Sequence, residues 1–171
     1  MRFLAAIGFI AIVGAVAGGI FFFAGFYNVA ATEKESGIVA WAVAQVRQAS
    51  IGRHASEIVP RSLDDPATVQ AGARTYATRG CLTCHGGPGV NRGRYPEGLN
   101  PRPPELKDIA GLRETREIFW VIKNGIRMSG MPGYGSAGAS DAEIWAVVAF
   151  VKKLPSVSDA EFKEWRARPG G

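Results

Sequence analysis

Residues 80–89 read GCLTCHGGPG and hold both cysteines of this 171-residue chain. Cys81 and Cys84 are separated by Leu82 and Thr83, and His85 comes directly after them. A structural zinc site takes a full tetrahedral set of Cys and His ligands. Here the only histidine besides His85 is the distant His54, and neighbours such as Cys84 and His85 rarely reach one ion together. A thioredoxin-type dithiol needs its Cys-x-x-Cys at a helix N-terminus among strands, whereas this one comes after a helical segment and has no strand signal around it. A disulfide across so short a loop restrains the unfolded chain little. Covalent haem attachment fits the spacing best: two thiols can add to the haem vinyl groups while the adjacent His binds iron.

Such a site asks for a second axial donor, and NGIRMSGMPGYG (124–135) offers two thioethers, Met128 and Met131. Met131 is preferred because Gly130 and Gly133 let the backbone come close to a flat cofactor and Pro132 stiffens the loop. Met128 and His54 remain the alternatives, and packing without ligation is a third. His54 itself reads as a surface residue of a linker.

The surrounding chain is helical with long loops. Residues 3–32 contain no Asp, Glu, Lys or Arg, and the run from Phe3 to Phe26 is as long as the ~20 residues that cross a bilayer as a helix. Phe21, Phe22, Phe23, Phe26 and Tyr27 suit the headgroup layer. A cleaved secretory signal ending near Val29-Ala30-Ala31 is the competing reading, although its apolar core would be unusually long. Either way, Arg2 and the terminal amine favour export of the remainder of the chain. A second helical pattern over residues 38–50 places Val39, Val43, Val46 and Ser50 on one face, with Trp41 and Gln48 away from it. A linker comes next. Asp65 and Pro66 open a helix that ends at Arg79-Gly80, and residues 86–111 carry too much Gly and Pro for regular structure. Further helices are expected over 116–124 with Thr115 as N-cap, from Ser140 to Pro155 with a capping box, and over about 159–167. The divisions are thus 1–32 (anchor), 33–64 (amphipathic helix and linker), 65–155 (haem domain) and 156–171 (C-terminal helix and tail).

The formal charge of +5 is spread among interleaved basic and acidic residues. With no dense basic block or basic–aromatic alternation, nucleic acid is excluded as a partner.

Residues 65–155 resemble a class I (monohaem) cytochrome c domain. The shared features are YATRGCLTCHGG (76–87), PRPPEL (101–106), FWVIKNGI (119–126), GMPGYG (130–135) and IWAVVAFVKKLP (144–155). The whole chain resembles the membrane-anchored monohaem cytochromes c of bacteria. The resemblance implies an all-α fold, a transmembrane helix followed by three to five short helices and long loops. It implies one haem c on Cys81 and Cys84, with His85 and Met131 as axial ligands and Trp120, Tyr134 and Arg127 in the crevice. Opening and closing helices should cross at Gly72/Tyr76 and Trp145/Phe150. The function implied is single-electron transfer between redox proteins on the periplasmic side of the bacterial cytoplasmic membrane, with no catalysis by the chain itself. The alternatives are a fixed cytochrome subunit of a larger membrane oxidoreductase and a haem sensor or peroxidase.

Overall fold

The structure is a computed structural model that describes residues 2–33 and 36–167. It divides into two compact units, Met1–Lys34 and Glu35–Gly171. Among the described residues there are eight α-helices and no strand beyond an isolated Gly87–Val90 bridge.

The first unit is built on α1 (Arg2–Phe23), which spans 22 residues. At ~1.5 Å per residue that is close to the ~30 Å hydrocarbon thickness of a bilayer. No residue of α1 is buried, and Leu4, Phe9 and Ile10 are all exposed. It is long and apolar enough to cross a membrane.

The second unit starts with α2 (Gly37–His54), capped by the Ser36 hydroxyl, which accepts from the Val39 amide at 3.3 Å. Its inner face corrects the periodicity reading. Ile51 and Ala55 are buried and Ala44, Arg47 and Gln48 half-buried, whereas Val46 and Trp41 are 70% and 66% exposed. Small apolar residues occur all round this helix, so its packing against a neighbour, rather than its pattern, chose the buried side.

The remaining described helices come after it. They are α3 (Pro66–Thr78), the single turn α4 (Cys81–His85), α5 (Leu106–Leu112), α6 (Thr115–Asn124), α7 (Asp141–Lys153) and α8 (Asp159–Ala167). Capping chemistry sets most of their starts. The Asp65 carboxylate accepts from the Thr68 amide at 3.0 Å ahead of Pro66. Ser140 and Glu143 close a capping box at α7, and the Ser158 hydroxyl accepts from the Glu161 amide at 3.3 Å. At α6 the cap is Glu114, paired reciprocally with Glu117, one residue before the expected Thr115. Helix α5 lies where the Gly- and Pro-rich stretch reads as irregular.

Helix α3 lies directly on α7. A Cβ added to Gly72 would collide with the Ala146 carbonyl and come within 3.0 Å of the Phe150 Cβ, so only glycine permits this approach. Next to the crossing, the Tyr76 and Phe150 rings lie 5.2 Å apart, and Phe162 of α8 stacks on Phe150 at 5.2 Å. Trp145, expected at the crossing, instead stacks on Phe119 of α6 at 4.0 Å with an interplanar angle of 20°. Gly72 therefore meets Ala146 and Phe150, and Trp145 joins α7 to α6.

Replacing Gly72 by Ala should force α3 and α7 apart and cost about 3 kcal/mol or more, as overpacking against backbone does. Urea unfolding of the full-length protein in detergent, beside a Gly111→Ala control whose new Cβ meets open space, measures it. Equal stability of the two variants would overturn the packing argument.

Candidate functional site

The Cys-x-x-Cys-His segment is positioned by the end of α3. Helix α3 stops at Arg79, and Gly80 turns the chain with φ +83°, a left-handed conformation that glycine adopts without strain. The single turn of α4 then sets Cys81 and Cys84 three residues apart on one side. Cys81 is buried and Cys84 half-buried, and no disulfide joins them. The Tyr76 hydroxyl, itself buried, donates to the Gly86 carbonyl at 2.7 Å and ties the residue after His85 to α3.

A crevice of about 310 Å³ opens between α4 and the loop after α6. Cys81, Cys84, His85, Met131 and Tyr134 all line it, and Ile122 of α6 and Val147 of α7 are among its apolar lining residues. A more polar groove of about 830 Å³ also touches His85, but neither cysteine nor Met131 lines it. Size alone therefore points away from the donors, and the smaller crevice is the candidate site.

His85 Nδ1 lies 3.0 Å from the Pro104 carbonyl oxygen. A carbonyl only accepts, so Nδ1 carries the proton and Nε2 keeps its lone pair for a metal. Burial pushes the imidazole below its ordinary pKa; the Pro104 hydrogen bond opposes this and the Arg92 charge adds to it. The neutral ring that results is the ligating form. Burial also raises the Cys81 thiol, partly offset by the Tyr134 hydroxyl 3.9 Å away. A raised thiol is the opposite of what a redox-active dithiol needs. Tyr134 is likewise pushed up, by burial first and then by Cys81, so its hydroxyl stays protonated.

The Met131 loop is tightly held. The Ile126 amide donates to the Met131 carbonyl at 3.1 Å, the Met131 amide donates to Ser129 Oγ at 3.2 Å, and Ser129 Oγ donates to the Ile126 carbonyl at 2.7 Å. Gly133 lies so close to the end of α6 that a Cβ there would stand 2.8 Å from the Asn124 carbonyl oxygen. Met128, by contrast, is 83% exposed at φ +58° and is not part of the crevice lining.

Of the residues expected in the crevice, Tyr134 lines it, while Trp120 and Arg127 do not. Trp120 sits one position past buried Phe119 and turns away toward the His54 ring, 6.1 Å distant. Arg127 is exposed on the loop. The guanidinium-bearing residues on the lining are Arg47, Arg102 and Arg113, and α2 adds Ile51. Nothing in the sequence pattern singles these out, because they come together only when α2 packs beside α6.

The donor set fits a haem: two thiols, an imidazole nitrogen and a thioether line one mostly apolar crevice. Among the described residues no three His, Cys, Asp or Glu side chains converge as a metal cluster, so the zinc reading finds no support. The fold and this site define a monohaem c-type cytochrome domain, a class that binds covalently attached haem c and transfers electrons through it. Residues 67–151 match the family model described as cytochrome c oxidase, cbb3-type, subunit III, and the chain carries its haem domain in this stretch. No curated protein matches the chain.

An ion pair ties the motif to α7: Arg79, just ahead of Gly80, meets the Glu143 carboxylate at 2.8 Å. Hydrogen bonds from Arg79 and then from Ser140 hold the Glu143 pKa down at about 2, against an ordinary 4.5. A depressed carboxylate stabilises the fold above its unfolded pKa and loses that contribution as pH falls through the folded one. The stability gap between wild type and Glu143→Gln should therefore be constant near neutrality and close between about pH 4.5 and about pH 2. Thermal melts across that range test it; a gap that widens on acidification would contradict the assignment.

Proposed function

We propose that this chain is a membrane-tethered one-electron carrier, with haem c joined to Cys81 and Cys84 and bound axially by His85 and Met131. The observation that carries the reading is the shared crevice: both thiols, His85 and a half-buried Met131 line the same cavity. Haem c, when bound, supplies a centre that gains and loses one electron, and a Met thioether as axial ligand raises its potential. The residues of the chain hold that centre still. The Pro104 carbonyl fixes the tautomer and ring of His85, and the hydrogen bonds within residues 126–131 fix Met131. Were His85 and Met131 both to hold the iron, no open coordination position would remain for substrate, which favours a carrier over a catalyst.

In this proposal α1 is a single-pass anchor and the haem domain faces the periplasm across the bacterial cytoplasmic membrane. Support comes from the length and apolar composition of α1, from Arg2 at its start, and from the extracytoplasmic setting in which haem is attached to such motifs. Donor and acceptor are redox proteins encountered along that surface. A second reading, a fixed subunit of a membrane oxidase complex, is favoured by the family description, which names an oxidase subunit. Detergent purification decides between them: co-migration with other subunits supports the complex, and an isolated, reducible cytochrome supports the carrier. Rapid cyanide or CO binding by untreated protein would instead favour a sensor or peroxidase.

In ascorbate-reduced and oxidised visible spectra, Met131→Ala should abolish the iron–sulfur charge-transfer band while Met128→Ala leaves it intact. Haem should stay with the protein through acid extraction in both variants. A band that survives Met131→Ala would remove Met131 as ligand, and extractable haem would remove the thioether links.

The intact mass of the mature protein from membranes should include residues 1–32, and the haem protein should resist extraction by carbonate. A mature chain beginning near Ala31 or Thr32, recovered in the soluble fraction, would overturn the tether and establish the signal-peptide alternative.

A further inference from the structure

The carbonyl that orients His85 belongs to a segment poorly equipped to hold itself in place. Pro101, Pro103 and Pro104 have no amide proton to donate, and the next helix, α5, starts only at Leu106. Yet Pro104 must be held within hydrogen-bond reach of His85 Nδ1, 3.0 Å away. One side chain spans this point. Arg92 Nη1 donates to the Pro103 carbonyl at 2.9 Å, and Arg92 Nη2 pairs with the Glu105 carboxylate. The guanidinium fork thus grips the residues on either side of Pro104. Its own base is fixed to the Cys-x-x-Cys-His turn: the Gly93 amide donates to the Thr83 carbonyl at 3.0 Å, and Gly87 and Val90 exchange backbone hydrogen bonds at 2.9 Å. A Cβ on Gly86 would stand 3.1 Å from the Arg92 amide nitrogen, so the two backbones are in close contact. Arg92 is only 24% exposed in its side chain.

We propose that Arg92 is the positioning residue for the axial histidine. It closes a ring from α4 through residues 86–93 to Pro103 and Glu105 and back through Pro104 to His85, and so sets the angle of the imidazole plane. The inference rests on His85 being an iron ligand. The fork geometry matters as well as the charge, because a lysine ammonium keeps the charge but cannot make two parallel planar contacts.

The test uses the full-length haem protein and three variants, Arg92→Ala, Arg92→Lys and Glu105→Gln. Two readouts report on the ring itself: solvent exchange of the His85 Nδ1 proton by NMR, and the g-values of the oxidised low-spin iron by EPR. Arg92→Ala should speed the exchange on the order of tenfold, as expected when a charge-assisted hydrogen bond holding the acceptor is lost, and should shift the g-values. Arg92→Lys should do the same despite its retained charge, and Glu105→Gln should move both readouts less, in the same direction. Exchange and g-values unchanged in Arg92→Ala, even with a lower melting temperature, would overturn the proposal and leave Arg92 a structural residue only. Should Arg92→Ala not accumulate, the other two variants decide by the same readouts: movement supports the proposal, and wild-type values overturn it. Failure of the underlying ligand assignment looks different, because the wild type itself would then lack a histidine-ligated low-spin signal.

Discussion

The contact on which the rest of this haem domain depends is the backbone-to-backbone approach of α3 and α7 at Gly72. With no side chain between them, the last turns of α3 are lowered onto α7, and the chain leaving α3 at Gly80 delivers Cys81 beside Val147 and Val151. The same approach brings Tyr76 against Phe150 and Phe162. From there its hydroxyl reaches the Gly86 carbonyl, the first acceptor beyond the histidine. Aromatic pairs of this kind contribute about 0.5–1.5 kcal/mol each beyond their burial, and a buried hydrogen bond about 1 kcal/mol more. These terms are modest. Their importance is geometric, since they fix the height and tilt of a turn whose three functional side chains must share one wall.

The two donor-bearing segments of the crevice lining are held by different means. On the cysteine side the turn is short, and its order comes from outside: from Tyr76, from Arg79 paired with Glu143, and from the Arg92 fork. On the Met131 side the loop is docked through backbone onto α6, where the Tyr134 and Gly135 amides donate to the Ile122 and Lys123 carbonyls at 3.0 Å each. A carrier of single electrons benefits from both arrangements, because side chains that stay in place in either charge state add little reorganisation to the transfer. The mostly apolar lining would disfavour the more highly charged form of a bound iron centre, and the guanidinium groups of Arg47, Arg102 and Arg113 would act in the same direction, with Arg113 offset by its ion pair with Glu117 on the same lining.

Much of this architecture is legible in the sequence wherever local chemistry decides. Asp65 before Pro66, the Ser140–Glu143 box and the Ser158–Glu161 pair each announce a helix, and each helix is there. The Cys-x-x-Cys-His turn and the methionine loop are equally local, and the folded chain brings them to one crevice. What escapes is what depends on partners distant in sequence. Helix α5 sits in a stretch whose glycines and prolines outweigh a short apolar period at Leu106, Ile109 and Ala110. Trp120 is expected in the crevice only from the family resemblance; in the fold its ring lies 6.1 Å from that of His54, outside the lining. Trp145 misleads because it is next to Ala146, which touches Gly72, and therefore faces α6.

Helix α2 shows why a matched family segment and a functional unit need not have the same limits. It lies wholly before residue 67, where the match begins, yet Arg47 and Ile51 line the crevice. Its inner side is small and apolar at Ala44, Ile51 and Ala55, as suits a wall laid against α6. Its outer side is apolar too, with Ile38, Trp41 and Val46 exposed. A helix apolar on two sides has almost no amphipathic signature, so periodicity could not distinguish the face that closes the crevice from the face that does not. Cutting the domain at Asp65 would therefore remove Arg47 and Ile51 from the crevice lining along with the linker.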